Sequence, residues 1–107
     1  MDLVHVAHVG DRTEVRLSGR LGVSEAADTQ RRLDAALAPQ RPIALDAAKL
    51  SGIDTAGLQL LLAFYRAAYG RGLNPQWIAT SAALREGATR LALETLLDLE
   101  TNRDVQR

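Results

Sequence analysis

PIALDAAKLSGIDTAGLQLLLAFYRAAY, residues Pro42 to Tyr69, carries a short apolar strand through a turn into a long apolar helix. Ile43 to Asp46 supplies the strand, and Gly52-Ile53-Asp54-Thr55-Ala56-Gly57-Leu58 forms the junction. Asp54 can accept hydrogen bonds from the N–H groups left over at a helix start, which sets the Thr55 hydroxyl on the first turn at the positive end of the helix dipole. A hydroxyl there can carry a phosphate or meet a partner. From the residues alone, Asp54 reads first as a helix cap and Gly57 as a loss of bulk where helix meets sheet.

Working outward, Leu3 to Val9 reads as a strand, with Leu3, His5, Ala7 and Val9 on one side and Val4, Val6 and His8 on the other. Gly10-Asp11-Arg12 reads as a hairpin turn. Thr13 to Ser18 alternates, Val15 and Leu17 against Glu14, Arg16 and Ser18, which predicts a half-buried strand broken by Gly19 to Gly22. Ser24 is the expected N-cap of a helix running to about Ala38, its apolar stripe drawn from Ala26, Ala27, Leu33, Ala36 and Leu37. Pro39-Gln40-Arg41-Pro42 stops that helix, because proline removes a donor and restricts the residue before it.

The helix expected over Ala56 to Gly70 carries Leu58, Leu61, Leu62, Tyr65 and Tyr69 at helical spacing, and Gly70 and Gly72 end it. Gln76 to Ala79 follows as a strand with the single tryptophan, Trp77. Ser81 caps a third helix to about Leu93, with Ala83, Leu84, Ala88, Leu91 and Ala92 available for burial. Leu96, Leu97 and Leu99 read as a last short strand or a docking segment, and Thr101 to Arg107 as a frayed tail. The order predicts an α/β fold in one domain over residues 1–107, with a core of about 13–99, a tail of 100–107 and helices packed on a mixed sheet. In that sheet the first hairpin is antiparallel and the β-α-β units parallel.

Composition bounds the function. The chain has 107 residues, 47% hydrophobic and 24% charged, which suits an ordered soluble domain. Thirteen basic and thirteen acidic residues cancel and do not cluster, against a nucleic-acid footprint. The run Leu58 to Ala68 falls short of the ~20 apolar residues of a membrane span, and no secretory signal is visible at the N-terminus. Cysteine is absent, which removes disulfides, thiolate metal sites and thiol nucleophiles and is compatible with a reducing, cytoplasmic setting. His5 and His8 would point to opposite faces of a strand, with no ligand partner at metal spacing.

Asp54-Thr55-Ala56-Gly57-Leu58, preceded by Ile43-Ala44-Leu45-Asp46 and followed by Leu60-Leu61-Leu62, resembles the central signature of STAS domains, the fold of bacterial anti-sigma-factor antagonists. The likeness runs from Thr13 to Leu99 in the order and spacing of elements. It implies a non-enzymatic signalling protein that acts through protein–protein contacts. It places the phosphoacceptor on Thr55 and the partner surface on Asp54, Thr55, Ala56, Gly57 and Gln59. The implied partner is an anti-sigma factor with serine/threonine kinase activity, and no cofactor or metal is called for. The chain departs from many regulated members in having threonine at position 55 and no second hydroxyl at Ala56. Asp-Thr-small-Gly-Leu before a leucine run is also similar to the STAS subunit of a bacterial phospholipid-transport ABC system, where the threonine docks on the ATPase subunit. Trp77 through Ser81-Ala82-Ala83-Leu84-Arg85 resembles STAS proteins that accompany chemotaxis genes.

An enzymatic reading finds no support in the motifs. A phosphoryl-accepting receiver needs an acidic pair after its first strand and a late lysine, whereas the chain offers Asp11 there and its single lysine, Lys49, before the junction. No Gly-x-x-x-x-Gly-Lys loop, His-Glu-x-x-His helix or nucleophile elbow occurs.

Overall fold

A computed structural model describes residues 3–97 and 99. The elements follow in the order β1 (Val4–Val9), β2 (Arg12–Leu21), a 3₁₀ turn (Val23–Glu25), α1 (Ala26–Leu37), β3 (Ile43–Ile53), α2 (Thr55–Gly70), β4 (Gln76–Thr80) and α3 (Ala82–Arg90). Gly10 and Asp11 form the hairpin between β1 and β2, which pair antiparallel from Val9↔Arg12 to Val4↔Leu17. β3 lies parallel to β2 and β4 parallel to β3, so the four-stranded mixed sheet has the order β1-β2-β3-β4. Helices α1 and α2 are the crossovers that parallel neighbours require.

Strand register assigns the two faces. Val4, Val6, Val15, Leu17, Ile43 and Leu45 point to one side, where they pack with Leu33, Ala36 and Leu37 of α1, Leu58, Leu61 and Phe64 of α2, and Leu84 and Ala88 of α3. Helix α2 touches both α1 and α3. The opposite sheet face carries His5, Arg16 and Asp46 in one cross-strand row and Ala7, Glu14, Ala44 and Gln76 in the next. His5, Arg16 and Gln76 are open to solvent there.

Several elements differ from their sequence expectations for identifiable reasons. Gly19 does not end β2: at φ +79° it turns the chain beside a register shift, and the strand continues to Leu21. β3 runs 11 residues, past Asp46 to Ile53, because two irregularities in its pairing with β2 absorb extra residues. Ser24 is not the helix cap. The backbone tightens into the 3₁₀ turn, and Glu25 Oε1 accepts from the Gly22 N–H at 3.1 Å. Ala27 is exposed, and buried Thr29 completes the inner stripe of α1.

In α2 the buried stripe is Gly57, Leu58, Leu61, Phe64, Tyr65 and Ala68, while Tyr69 is 68% exposed and Leu62 only partly buried. Glu14 is buried despite its outward position, held by the Arg12 guanidinium at 2.7 Å. Helix α3 stops at Arg90, leaving Leu91 and Ala92 exposed. Its end matches that of α2: Ala92 at φ +58° and Gly72 at φ +75° each hand the chain out of the helix, with the next N–H returning to the Ala88 and Ala68 carbonyls. Leu97 and Leu99 dock into the core without forming a strand, and the Trp77 indole N–H donates to the Leu97 carbonyl at 2.8 Å. The tail expected at Thr101 to Arg107 lies outside the described residues.

Leu61 is 1% exposed beneath α2, so Leu61→Ala is expected to cost about 2–5 kcal/mol, whereas Leu62→Ala, at a partly exposed site, costs less. Urea denaturation of the two variants checks the ranking, and equal midpoints would contradict it.

Candidate functional site

The site forms where β3 hands over to α2. Asp54 has extended backbone, φ −105° and ψ −176°, and its carbonyl accepts the first intrahelical bond from Leu58 N–H at 2.9 Å. Its carboxylate grips two segments at once. Oδ1 accepts from the Gly57 N–H at 3.0 Å, and Oδ2 from the Val23 N–H at 3.2 Å, across 31 residues of sequence. The Asp54 N–H donates to the Leu21 carbonyl at 3.1 Å. One residue therefore ties the end of β2, the 3₁₀ turn and the first turn of α2 together.

Gly57 makes this approach possible. A Cβ there would stand 2.7 Å from the Leu21 carbonyl oxygen and 2.9 Å from Ile53 Cγ1, so any side chain would push the helix off the strand end. Gly57 is buried, and its contact with the strand accounts for the missing side chain. Thr55 and Gln59 are exposed and Ala56 is half-buried, so Thr55, Gln59 and the Asp54 carboxylate form an open surface at the head of α2. Asp46, which ends the short strand expected from sequence, lies instead within β3, where its Oδ1 accepts from Ala48 N–H at 3.0 Å.

Two neighbours were not legible from the local sequence. Val23 is 71% exposed beside the clasp, and Arg20 lies across Gly52 near the carboxylate. Arg20 lies near the end of β2 and Val23 in the turn that follows it, both far from Asp54 in the chain, and only the fold brings them to the site. The expectation that the first turn offers free donors also changes, because the Asp54 carboxylate already occupies the Gly57 N–H. Among the described residues, no three His, Cys, Asp or Glu side chains group to hold a metal ion.

Hydrogen bonding from the Gly57 N–H above all, with smaller help from Val23, Ala56 and the Arg20 charge, holds the Asp54 carboxyl below its ordinary 3.8 against a desolvation that pushes it up. A carboxylate lowered in the folded state contributes stability that is complete above its unfolded value and lost as pH falls through the folded one. Thermal melts from about pH 6 to about pH 2 should therefore show a shallower acid-side decline for Asp54→Asn than for the parent. Asp28, lowered chiefly by its hydrogen bond to Arg32, keeps part of the decline in place. Gly57→Ala is expected to destabilise by about 1–3 kcal/mol, since the backbone oxygen it meets cannot swing away. Urea midpoints measure that loss, and a parent-like midpoint would mean the helix shifts freely.

The family profile described as Mlab, STAS domain matches residues 4–104. Among solved structures, an anti-sigma factor antagonist from Mycobacterium paratuberculosis aligns with a TM-score of 0.75 at 20% identity, covering 86% of this chain and 79% of that one. The anti-sigma factor antagonist SpoIIAA in its unphosphorylated form aligns with a TM-score of 0.63 at 19% identity, covering 87% and 84%. A crystal structure of Mglu aligns with a TM-score of 0.64 at 23% identity over 71% of this chain, which spans only 19% of that one. No curated protein matches the sequence. At such identities the structural likeness establishes the shared fold. Together, the family match over nearly the whole chain, the mixed four-stranded sheet and the capped helix at Asp54 make this chain a member of the STAS domain family.

Proposed function

We propose that this chain is a non-enzymatic bacterial regulatory module of the anti-sigma-antagonist type, a cytoplasmic single domain that binds a protein partner through Asp54, Thr55, Ala56, Gly57 and Gln59. The observation that carries the reading is exposed Thr55, the first residue of α2, directly after the Asp54 clasp that sets the start of the helix. Thr13 and Thr29, by contrast, are 0% and 1% exposed, which closes them to a kinase. A phosphate on Thr55 adds a charge of about −1.5 to −2 next to the Asp54 carboxylate. The two anions then present a strongly negative point to the partner, which turns a docking surface into a repelling one. No helix among the described residues is long and apolar enough to cross a membrane.

A second reading rests on the same surface. The Asp54 carboxylate fills part of the donor set a phosphate would use, and Ala56 offers no second hydroxyl. Both features favour a constitutive accessory subunit docked on the ATPase of a phospholipid-transport ABC system, with Thr55 as a contact. Immobilised parent, Thr55→Ala and Thr55→Glu proteins, exposed to extract of the native host and read by mass spectrometry, test both readings. A partner kept by the parent and Thr55→Ala but lost from Thr55→Glu supports the docking surface. Phosphothreonine at position 55 then selects the switched module, and an unmodified Thr55 with a bound ATPase selects the subunit. Equal retention by Thr55→Glu, with loss on reversing the charge of Arg31 or Arg85, would move the surface elsewhere.

A further inference from the structure

The sheet face opposite the helices carries a second site, separate from the head of α2. His5 on β1, Arg16 on β2 and Asp46 on β3 stand side by side in register, and Ser18 pairs with Lys49 in the next row. Between those rows β3 holds Ala47 and Ala48 against Leu17 alone, a bulge that bends the central strand. Around the bulge opens a concavity of about 480 Å³ lined by His5, Arg16, Ser18, Asp46 and Lys49, with Leu17 and Ala48 completing the wall. That volume lies within the ~300–1,000 Å³ range of small-molecule sites.

Its charges are not spent on one another. Glu14 is held by Arg12 at 2.7 Å and stands 3.7 Å from Arg16, beyond hydrogen-bond reach, so the Arg16 fork keeps donors to spare. The Lys49 ammonium has no ion-pair or hydrogen-bond partner among the described residues. Asp46 is tethered by the Ala48 N–H, which holds it beside Arg16 in the row as a fixed acceptor. A planar guanidinium, an ammonium and a fixed carboxylate in one hollow suit a ligand with an oxyanion head and a neighbouring hydrogen-bond donor.

We infer that the bulge on the open sheet face binds a small organic phosphate or carboxylate bearing an adjacent hydroxyl or ammonium group. Arg16 and Lys49 take the oxyanion, and Asp46 accepts from the neighbouring donor. The Asp46 charge disfavours a bare anion, so the site selects the substituted one. None of these residues belongs to the Thr55 surface, and the inference stands or falls apart from the proposed partner.

Two-dimensional amide NMR of the whole chain tests it, with inorganic phosphate, inorganic sulfate, glycerol phosphate and glycerate as probes. Glycerol phosphate or glycerate is expected to give saturable shifts centred on Arg16, Ser18, Asp46 and Lys49 with a Kd below about 1 mM, at least about threefold tighter than inorganic phosphate. Arg16→Gln and Lys49→Gln should each weaken binding about tenfold, and Asp46→Asn should erase the preference for the substituted anion. Arg66→Gln, on the exposed side of α2, should change neither, and Thr55→Glu should leave the pocket shifts as they are. Shifts that fail to saturate for both organic probes, that centre elsewhere, or that weaken as much in Arg66→Gln as in Lys49→Gln would overturn the assignment. Equal affinity for inorganic sulfate and glycerol phosphate would also overturn it.

Discussion

The placement of α2 depends on how closely its first turn can approach the end of β2. The Leu21 carbonyl accepts from Asp54 N–H and lies where a Gly57 side chain would have to be. With the backbones that close, the Asp54 carboxylate spans from the helix start to the Val23 N–H in a single side chain's length. The same approach brings Leu58 and Leu61 down onto the sheet. Core burial and site geometry at this end of the domain are therefore one constraint, because a helix lifted by a methyl group would loosen both.

Much of the fold was legible because its punctuation is chemical and local. Asp54 and Ser81 cap their helices as their residue types dictate, each accepting from the N–H three residues on. Gly10-Asp11 makes the hairpin, and the Pro39–Pro42 segment separates α1 from β3. The misjudged stretches are those where local signals conflict with pairing. Gly19 looks like a stop but is accommodated by a bend, and the polar residues Lys49 and Ser51 hid the second half of a strand whose pairing slips twice against β2. Ser24 looks like a better cap than Gly22, yet the turn is closed by Glu25 reaching back. Of the site, Asp54 and Thr55 could be read from sequence, whereas Val23 and Arg20 could not, since no local pattern links them to residue 54. The hollow around Lys49 was equally hidden, because bulges set its register and bulges leave no periodic trace.

Family membership and physical geometry constrain function at different levels. The family match and the shared fold place the chain in the STAS family. The geometry adds that Thr55 opens a capped helix and does not lie in a loop, with one neighbouring carboxylate already charged at neutral pH. Under the proposed reading, a partner meeting this surface finds a preformed arrangement and spends little conformational entropy on ordering it. Any charge added there acts at short range, where solvent screening is least effective.

Trp77 lies on β4 with its ring nearly parallel to Tyr65, 6.5 Å between centroids, and its indole N–H held by the Leu97 carbonyl. Tyr65 in turn donates its hydroxyl to the Pro75 carbonyl, so both rings are anchored at their polar ends. As the single tryptophan of the chain, Trp77 is an intrinsic optical reporter whose emission wavelength registers whether the segment after α3 is seated. Excitation energy absorbed by Tyr65 passes to the indole most efficiently while β4 and α2 remain packed. One fluorophore thus distinguishes local release of the C-terminal leucines from loss of the whole core, without any label being added.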